Sequence, residues 1–352
     1  MAVLVLFLAV GDRTLGESSS RPDGPDLLVT TGADGKRQII RTPEEWQTRR
    51  RAILSNMQRV MGPLPESSER VPLDIEVLAE ERLEKCTRRK ITFAAEKDDR
   101  VPAYLMIPHR LTGKAPAMLC LHQTTRIGKE EPVGMGGRVN LRYGLELAER
   151  GYVTLSPDYP NYGDYKFDPY AHGYASATMK GIWNHMRAVD LLAGMAEVDS
   201  GRIGCIGHSL GGHNTLFVAV FDERIQAAVT SCGFTSFPKY YGGNLAGWSH
   251  SGYMPRIQKQ FGNDPKRIPF DFPEVLAAIA PRAVFINAPL GDDNFENSGV
   301  RDCVYTAGPV FDLLGATGRL IAIYPDFGHE FPPEARTASY QFLDRVLGHG
   351  QP

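Results

Sequence analysis

The sequence predicts an α/β protein: a mostly parallel central sheet with helices on both faces and antiparallel strands at its N-terminal edge. Three observations carry this. From about residue 115 onward, short apolar runs alternate with helix-compatible segments, and such alternation means parallel strands joined by crossover helices. Before that, the strand-like runs 73–79, 89–95 and 101–107 follow one another with no helix between them, which calls for antiparallel pairing. The run 117–121, Ala-Met-Leu-Cys-Leu, is apolar throughout, as a strand covered on both faces should be.

Bulk properties set the frame. A chain of 352 residues suits one large α/β domain with additions, or two domains. A formal net charge of -2 gives no electrostatic reason to expect nucleic acid or an anionic membrane surface as partner. The five cysteines are odd in number and include no CxxC, and no Cys/His spacing suits a metal. No disulfide framework, metal or cofactor is therefore expected.

Taken in order, residues 2–10 are apolar but too short to span a bilayer. They have the length of a signal-peptide core, although the positively charged start is missing. Residues 18–26 are polar and rich in Pro and Gly, as a linker is. Residues 1–26 thus read as a signal peptide-like segment and linker, which implies a secreted or periplasmic protein with no membrane contact after removal. Residues 27–69 read as a helical leader. Thr42 is a capping residue, Pro43 takes the first helical position, and Glu44 and Glu45 fill the first turn. Trp46, Ile53, Leu54, Met57, Val60 and Met61 share one helical face.

Residues 70–352 read as the main domain. After the antiparallel runs, with a turn at Asp98-Asp99, come strands at 117–121, 152–155, 202–206, 227–230, 283–286 and 320–323. Helices are expected at about 141–149 and 179–195. An aromatic-rich insertion lies at about 233–270, with Phe234, Phe237, Tyr240, Tyr241, Trp248 and Tyr253. It is longer than a plain crossover, so a loop or small helices over the site are expected. Its aromatics could line a pocket or simply pack the insertion onto the domain.

Sites in such sheets lie beyond the carboxyl ends of the strands. One of these ends carries Gly207-His208-Ser209-Leu210-Gly211, between an apolar run and a helix-compatible segment. Strand, G-x-S-x-G, helix is the context of a nucleophile elbow. The glycines let strand and helix approach closely, and the Leu210 N–H at the helix start can point at an oxyanion. A serine hydroxyl needs a base to take its proton, and His329, after the last strand, is the candidate. A carboxylate after the preceding strand would orient that imidazole. Asp292 and Asp293 compete for this role, Asp292 being nearer the strand end and preferred, with Glu296 a distant third. The order Ser209, Asp292, His329 is that of the α/β-hydrolases.

The second oxyanion donor should come from the loop after 117–121, where Gln123 is the candidate and Thr124 its neighbour. His122 reads as a residue that ties this loop down by hydrogen bonds. At the end of the next strand Asp158 reads as a loop-organising acceptor and Tyr159 as a wall of the site. Tyr159 and Trp248 are the candidate substrate contacts. His185, His208, His213 and His250 show no ligand spacing.

From roughly residue 70 to the end, the chain resembles the α/β-hydrolase superfamily, and within it the dienelactone hydrolase-like and acetyl xylan esterase-like bacterial hydrolases. The matching positions are the elbow followed by Gly212, the Asp158 loop after Gly151-Tyr152-Val153, and Gly328-His329. The resemblance implies triad roles for Ser209, His329 and Asp292. Two departures stand out. Members often have His-Gly at the oxyanion strand end, where this chain has His122-Gln123, and dienelactone hydrolases proper use a cysteine where this chain has Ser209. The expected function is a serine carboxylic-ester hydrolase acting through an acyl-enzyme on a small-molecule or polysaccharide ester. The alternatives are a prolyl-oligopeptidase-like serine peptidase, although the chain leaves no room for a large propeller, a glucuronoyl methylesterase, and a non-catalytic hydrolase-fold binding module.

Overall fold

The structure is a computed structural model that describes residues 26–32 and 35–350. The signal-like reading of residues 1–26 falls outside these, save for Asp26. Strands β1 (Val29–Thr31) and β2 (Arg37–Ile39) pair antiparallel, an element too short to leave a pattern in the sequence. Helix α1 (Pro43–Met61) starts as expected. The Thr42 side chain accepts from the Glu45 N–H, and Glu45 reaches back to the Thr42 N–H, a reciprocal cap that satisfies two otherwise unpaired donors. Trp46, Ile53, Met57, Val60 and Met61 are fully buried. Arg50 is buried with them and donates to the carbonyls of Ala278 and Val220, 2.8 Å each, fastening the leader to the main domain.

An antiparallel meander follows: β3 (Glu76–Arg82), β4 (Cys86–Glu96) and β5 (Asp99–Pro108). β3 is exposed along its whole length and runs three residues past the predicted 73–79. The reason is charge. Cross-strand pairs Glu80–Arg89 and Glu81–Arg88, at 2.6 and 2.5 Å, carry the ladder beyond the apolar residues, and a charged edge discourages pairing with other chains. The turn before β5 centres on Asp98, φ 64, and Asp99 already belongs to the strand.

The alternating part then unfolds in sequence: β6 (Ala115–Leu121), α2 (Tyr143–Glu149), β7 (Val153–Pro157), α3 (Ala177–Gly194), β8 (Val198–His208), α4 (Leu210–Phe221) and β9 (Ile225–Ser231). The stretch 233–270 holds two 3-10 turns and the short α5 (Arg256–Lys259). After it come α6 (Phe272–Ile279), β10 (Ala283–Asn287), α7 (Asn297–Leu313), β11 (Leu320–Ile323) and α8 (Pro333–Val346).

The nine strands β3 to β11 form one sheet in the order β11-β10-β9-β8-β6-β7-β5-β4-β3. Pairing is parallel from β11 to β7 and antiparallel from β7 to β3. Alternate residues feed two cores. Ala117, Leu119 and Leu121 of β6 pack with residues of α1, α3, α4, α6 and α7, whereas Met118 and Cys120 pack with those of α2 and α8. The parallel order brings the carboxyl ends of β6, β8, β9, β10 and β11 to one rim, and the candidate residues sit there.

Candidate active site

Ser209 stands between the end of β8 and the start of α4 with φ 54 and ψ -116. A residue with a Cβ pays on the order of 1–3 kcal/mol to adopt such a backbone, so the surroundings must hold it. They do so by a hydrogen bond from the Ser209 N–H to the Ser231 carbonyl, 2.8 Å, and by close packing. A Cβ on Gly207 would lie 2.2 Å from the Gly211 oxygen, and one on Gly211 would lie 2.0 Å from the Leu121 oxygen. No residue larger than glycine fits either place without backbone movement, which is why the motif has glycines there.

Asp292 and His329 meet. The Asp292 side chain is 1% exposed, and its Oδ1 accepts from His329 Nδ1 at 2.9 Å and from the N–H groups of Asn294 and Phe295 at 2.9 and 3.0 Å. Burial opposes the carboxylate charge, but these donors and the imidazole overcome it and hold the carboxyl below its ordinary range. Asp293 and Glu296 are exposed. With Nδ1 bonded to Asp292, the remaining ring nitrogen of His329 is Nε2. The ring centroid lies 4.9 Å from that of His208, the residue before Ser209. Burial, and then the neighbouring His329, pushes the His208 imidazole down to about 3, so it is neutral; its Nδ1 lies 3.0 Å from Ser231 Oγ. The Ser209 hydroxyl has no hydrogen bond to His329 in this structure.

The loops bearing the acid and the imidazole continue the β10–β11 pairing. Ala288 donates to Ile323, Leu290 to Pro325 and Gly291 to Phe327, at 3.0, 2.9 and 2.9 Å between backbone groups.

At the end of β6, Gln123 is buried. Among the described residues, neither its N–H nor that of Leu210 donates a hydrogen bond, and the Gly211–Leu121 contact brings the two segments together. His122 does what was expected of it. Its Nε2 accepts from the Tyr159 N–H at 3.0 Å and its Nδ1 lies 2.7 Å from the Gln123 carbonyl, a pattern that puts the ring proton on Nδ1. The imidazole thereby joins the ends of β6 and β7.

Asp158 is fully buried and organises its loop, accepting from the Lys129 N–H, from Lys129 Nζ and from the Asp164 N–H at 2.8, 2.7 and 3.0 Å. Lys129, with no exposed side-chain surface, went unnoticed in the sequence because a lone lysine in a polar loop carries no pattern.

Of the candidate substrate contacts, Tyr159 and Trp248 are each 2% exposed. The Tyr159 hydroxyl donates to the Gly252 carbonyl at 3.0 Å. Trp248 packs among His213, Phe237 and Phe272, so it fastens the insertion to the domain and offers no open face. Tyr241, by contrast, is 59% exposed, with its hydroxyl 3.2 Å from Asn294 Oδ1. It borders a hollow also lined by Lys239, Leu290, Asp293 and Asn297. Cys232, directly after β9 with φ 48, adjoins Asp292 and His329. Its place after β9 is visible in the sequence, but its meeting with Asp292 and His329 is not.

Comparison with known proteins agrees with this architecture. A model of the prolyl oligopeptidase family matches residues 141–294. The protein named "Putative hydrolase YtaP" from Bacillus subtilis (strain 168) is 27% identical over 302 residues, covering 82% of this chain and 97% of its own. Among solved structures, a glucuronoyl esterase from Solibacter usitatus superposes with TM-score 0.73 at 19% identity, over 93% of this chain and 98% of that one. Acetyl xylan esterase 1 from Thermoanaerobacterium sp. JW/SL YS485 superposes with TM-score 0.58 at 17% identity, over 88% and 95%. A strained serine between strand and helix, a mostly parallel sheet and these likenesses agree: the chain has the α/β-hydrolase fold.

Proposed function

We propose that the chain is a serine carboxylic-ester hydrolase. Ser209 is the nucleophile, His329 the general base and acid, and Asp292 the carboxylate that orients His329. The observation that carries this is the 2.9 Å bond between Asp292 and His329 Nδ1, with the His329 ring 4.9 Å from that of His208, the residue before a serine with φ 54. His329 Nε2 takes the Ser209 proton as Oγ attacks the ester carbonyl, and the N–H groups of Leu210 and Gln123 receive the developing oxyanion. The imidazolium then gives its proton to the departing alcohol. Water, deprotonated by the same imidazole, releases the acid from the acyl-enzyme and restores the serine.

The substrate class we assign is an acetylated or otherwise esterified carbohydrate, met outside the cell by an exported protein. The names of the solved neighbours support it, being those of acetyl xylan and glucuronoyl esterases. A glucuronoyl methyl ester is the second reading, favoured by the higher TM-score of the glucuronoyl esterase, 0.73 against 0.58.

Labelling with a fluorophosphonate probe tests the nucleophile. The parent chain reacts and Ser209→Ala does not, while its rate on a short p-nitrophenyl ester falls by about 10³ or more. An unlabelled parent chain would point instead to a non-catalytic binding module. A panel of acetyl xylan, methyl glucuronate and feruloyl esters, with a proline-containing peptide as the peptidase arm, then selects the substrate.

A further inference from the structure

Cys232 follows β9, the strand beside the one that leads to Ser209. Its left-handed backbone, φ 48, is strained for a residue with a Cβ. The thiol Sγ lies 3.3 Å from the Glu330 carbonyl oxygen and 3.8 Å from Ser231 Oγ. The sulfur, a carboxylate oxygen of Asp292 and a ring nitrogen of His329 all lie within 4.8 Å of one another.

A second, independent observation concerns Asp292. Its side chain is 1% exposed, and while Oδ1 has three donors, Oδ2 is buried with no donor besides the Cys232 thiol next to the carboxylate. A buried carboxylate oxygen with only a weak thiol donor costs free energy that a cation would recover.

We infer that Cys232, Asp292 and His329 form a binding site for a borderline-soft divalent cation of the zinc type, and that its occupancy shuts the enzyme off. One sulfur, one imidazole nitrogen and one carboxylate oxygen are the donors zinc takes, at about 2.3, 2.0 and 2.0 Å, with donors then roughly 3.3–3.7 Å apart. The three side chains close in by on the order of 1 Å to reach that geometry. Calcium and magnesium, which demand six or more oxygen ligands, are excluded by the same set. On binding, the thiol proton passes to solvent as the sulfur–metal bond forms, and the Nδ1 proton that His329 donates to Asp292 moves by way of solvent to Nε2, freeing Nδ1 to ligate the ion. The imidazole and carboxylate are then metal ligands and no longer serve proton transfer. Binding rests on the cluster alone, whereas the inhibition clause rests on the proposed function.

The test uses the full chain, stripped with a chelator and titrated first with Co²⁺ and then with Zn²⁺. One cobalt ion per chain with a thiolate-to-cobalt charge-transfer band, displaced by zinc, is expected. Ester hydrolysis should fall with zinc and return with chelator. Cys232→Ala should lose the band and need at least about tenfold more zinc for half-inhibition; Cys232→Ser, closer in size, should do the same and guards against a folding defect. Absence of the band in the parent chain, its persistence in both variants, or variants as sensitive to zinc as the parent would overturn the site. The band needs no turnover, so failure of the esterase reading alone would leave it intact.

Discussion

His329 Nδ1 lies 2.9 Å from Asp292 Oδ1, although 37 residues separate the two along the chain. If this bond sets the imidazole tautomer, Asp292→Asn should lower kcat by on the order of 10³–10⁴ with little change in KM. Asp293→Asn, at an exposed position, should leave kcat within about twofold. Steady-state rates of the two variants on one p-nitrophenyl ester decide between the adjacent carboxylates.

Stability against acid follows from the same group. The Asp292 carboxyl is held below its ordinary value against the opposing effect of burial. A depressed carboxyl binds fewer protons folded than unfolded, so its contribution is present above the unfolded pKa and is lost as pH falls through the folded one. Urea midpoints of the parent chain and Asp292→Asn should therefore differ at pH 7 and converge as pH drops below the ordinary carboxylate range. A constant gap from pH 7 to the acid limit would contradict this.

Gly211 leaves no room for a side chain, since a Cβ at this position would fall 2.0 Å from the Leu121 carbonyl oxygen. Gly211→Ala must push α4 off the end of β6, at a cost of about 3 kcal/mol or more, comparable with severe overpacking. Denaturant unfolding measures the loss, and fluorophosphonate labelling should slow in parallel because the elbow and the Gln123 loop separate.

Lys129 and Asp158 are both fully buried and 2.7 Å apart. Lys129→Leu would strand a buried carboxylate, and removing one partner of such a pair costs about 3–5 kcal/mol. The double variant Lys129→Leu with Asp158→Leu should recover part of that loss. Two-state denaturation of the single and double variants checks the sign of the difference.

Much of this was legible because it was written in local chemistry. Thr42 and Glu45 announced the start of α1, and the glycines at 207 and 211 announced the elbow. The strand-end rule led to Asp292 and His329, since a buried parallel strand reads as a plain apolar run. What was not legible depended on partners far along the chain. The β1–β2 pair is too short for a periodic pattern, and β3 was displaced by charge pairing with β4. Trp248 carries the same aromatic signal whether it lines a pocket or packs a core, and burial decided for packing. The approach of Cys232 to Asp292 and His329 arises only from the neighbouring places of β9, β10 and β11 in the sheet, which no spacing rule detects.

The backbone bonds that run on from β10 and β11 into the two loops tie Gly291 to Phe327 and Leu290 to Pro325. The carboxylate and the imidazole thus ride on two mutually bonded loops that prolong the last two strands at one edge of the sheet, while the serine is rooted near its middle. Gentle warming should loosen that edge first, so activity fades reversibly at temperatures where circular dichroism still reports an intact sheet.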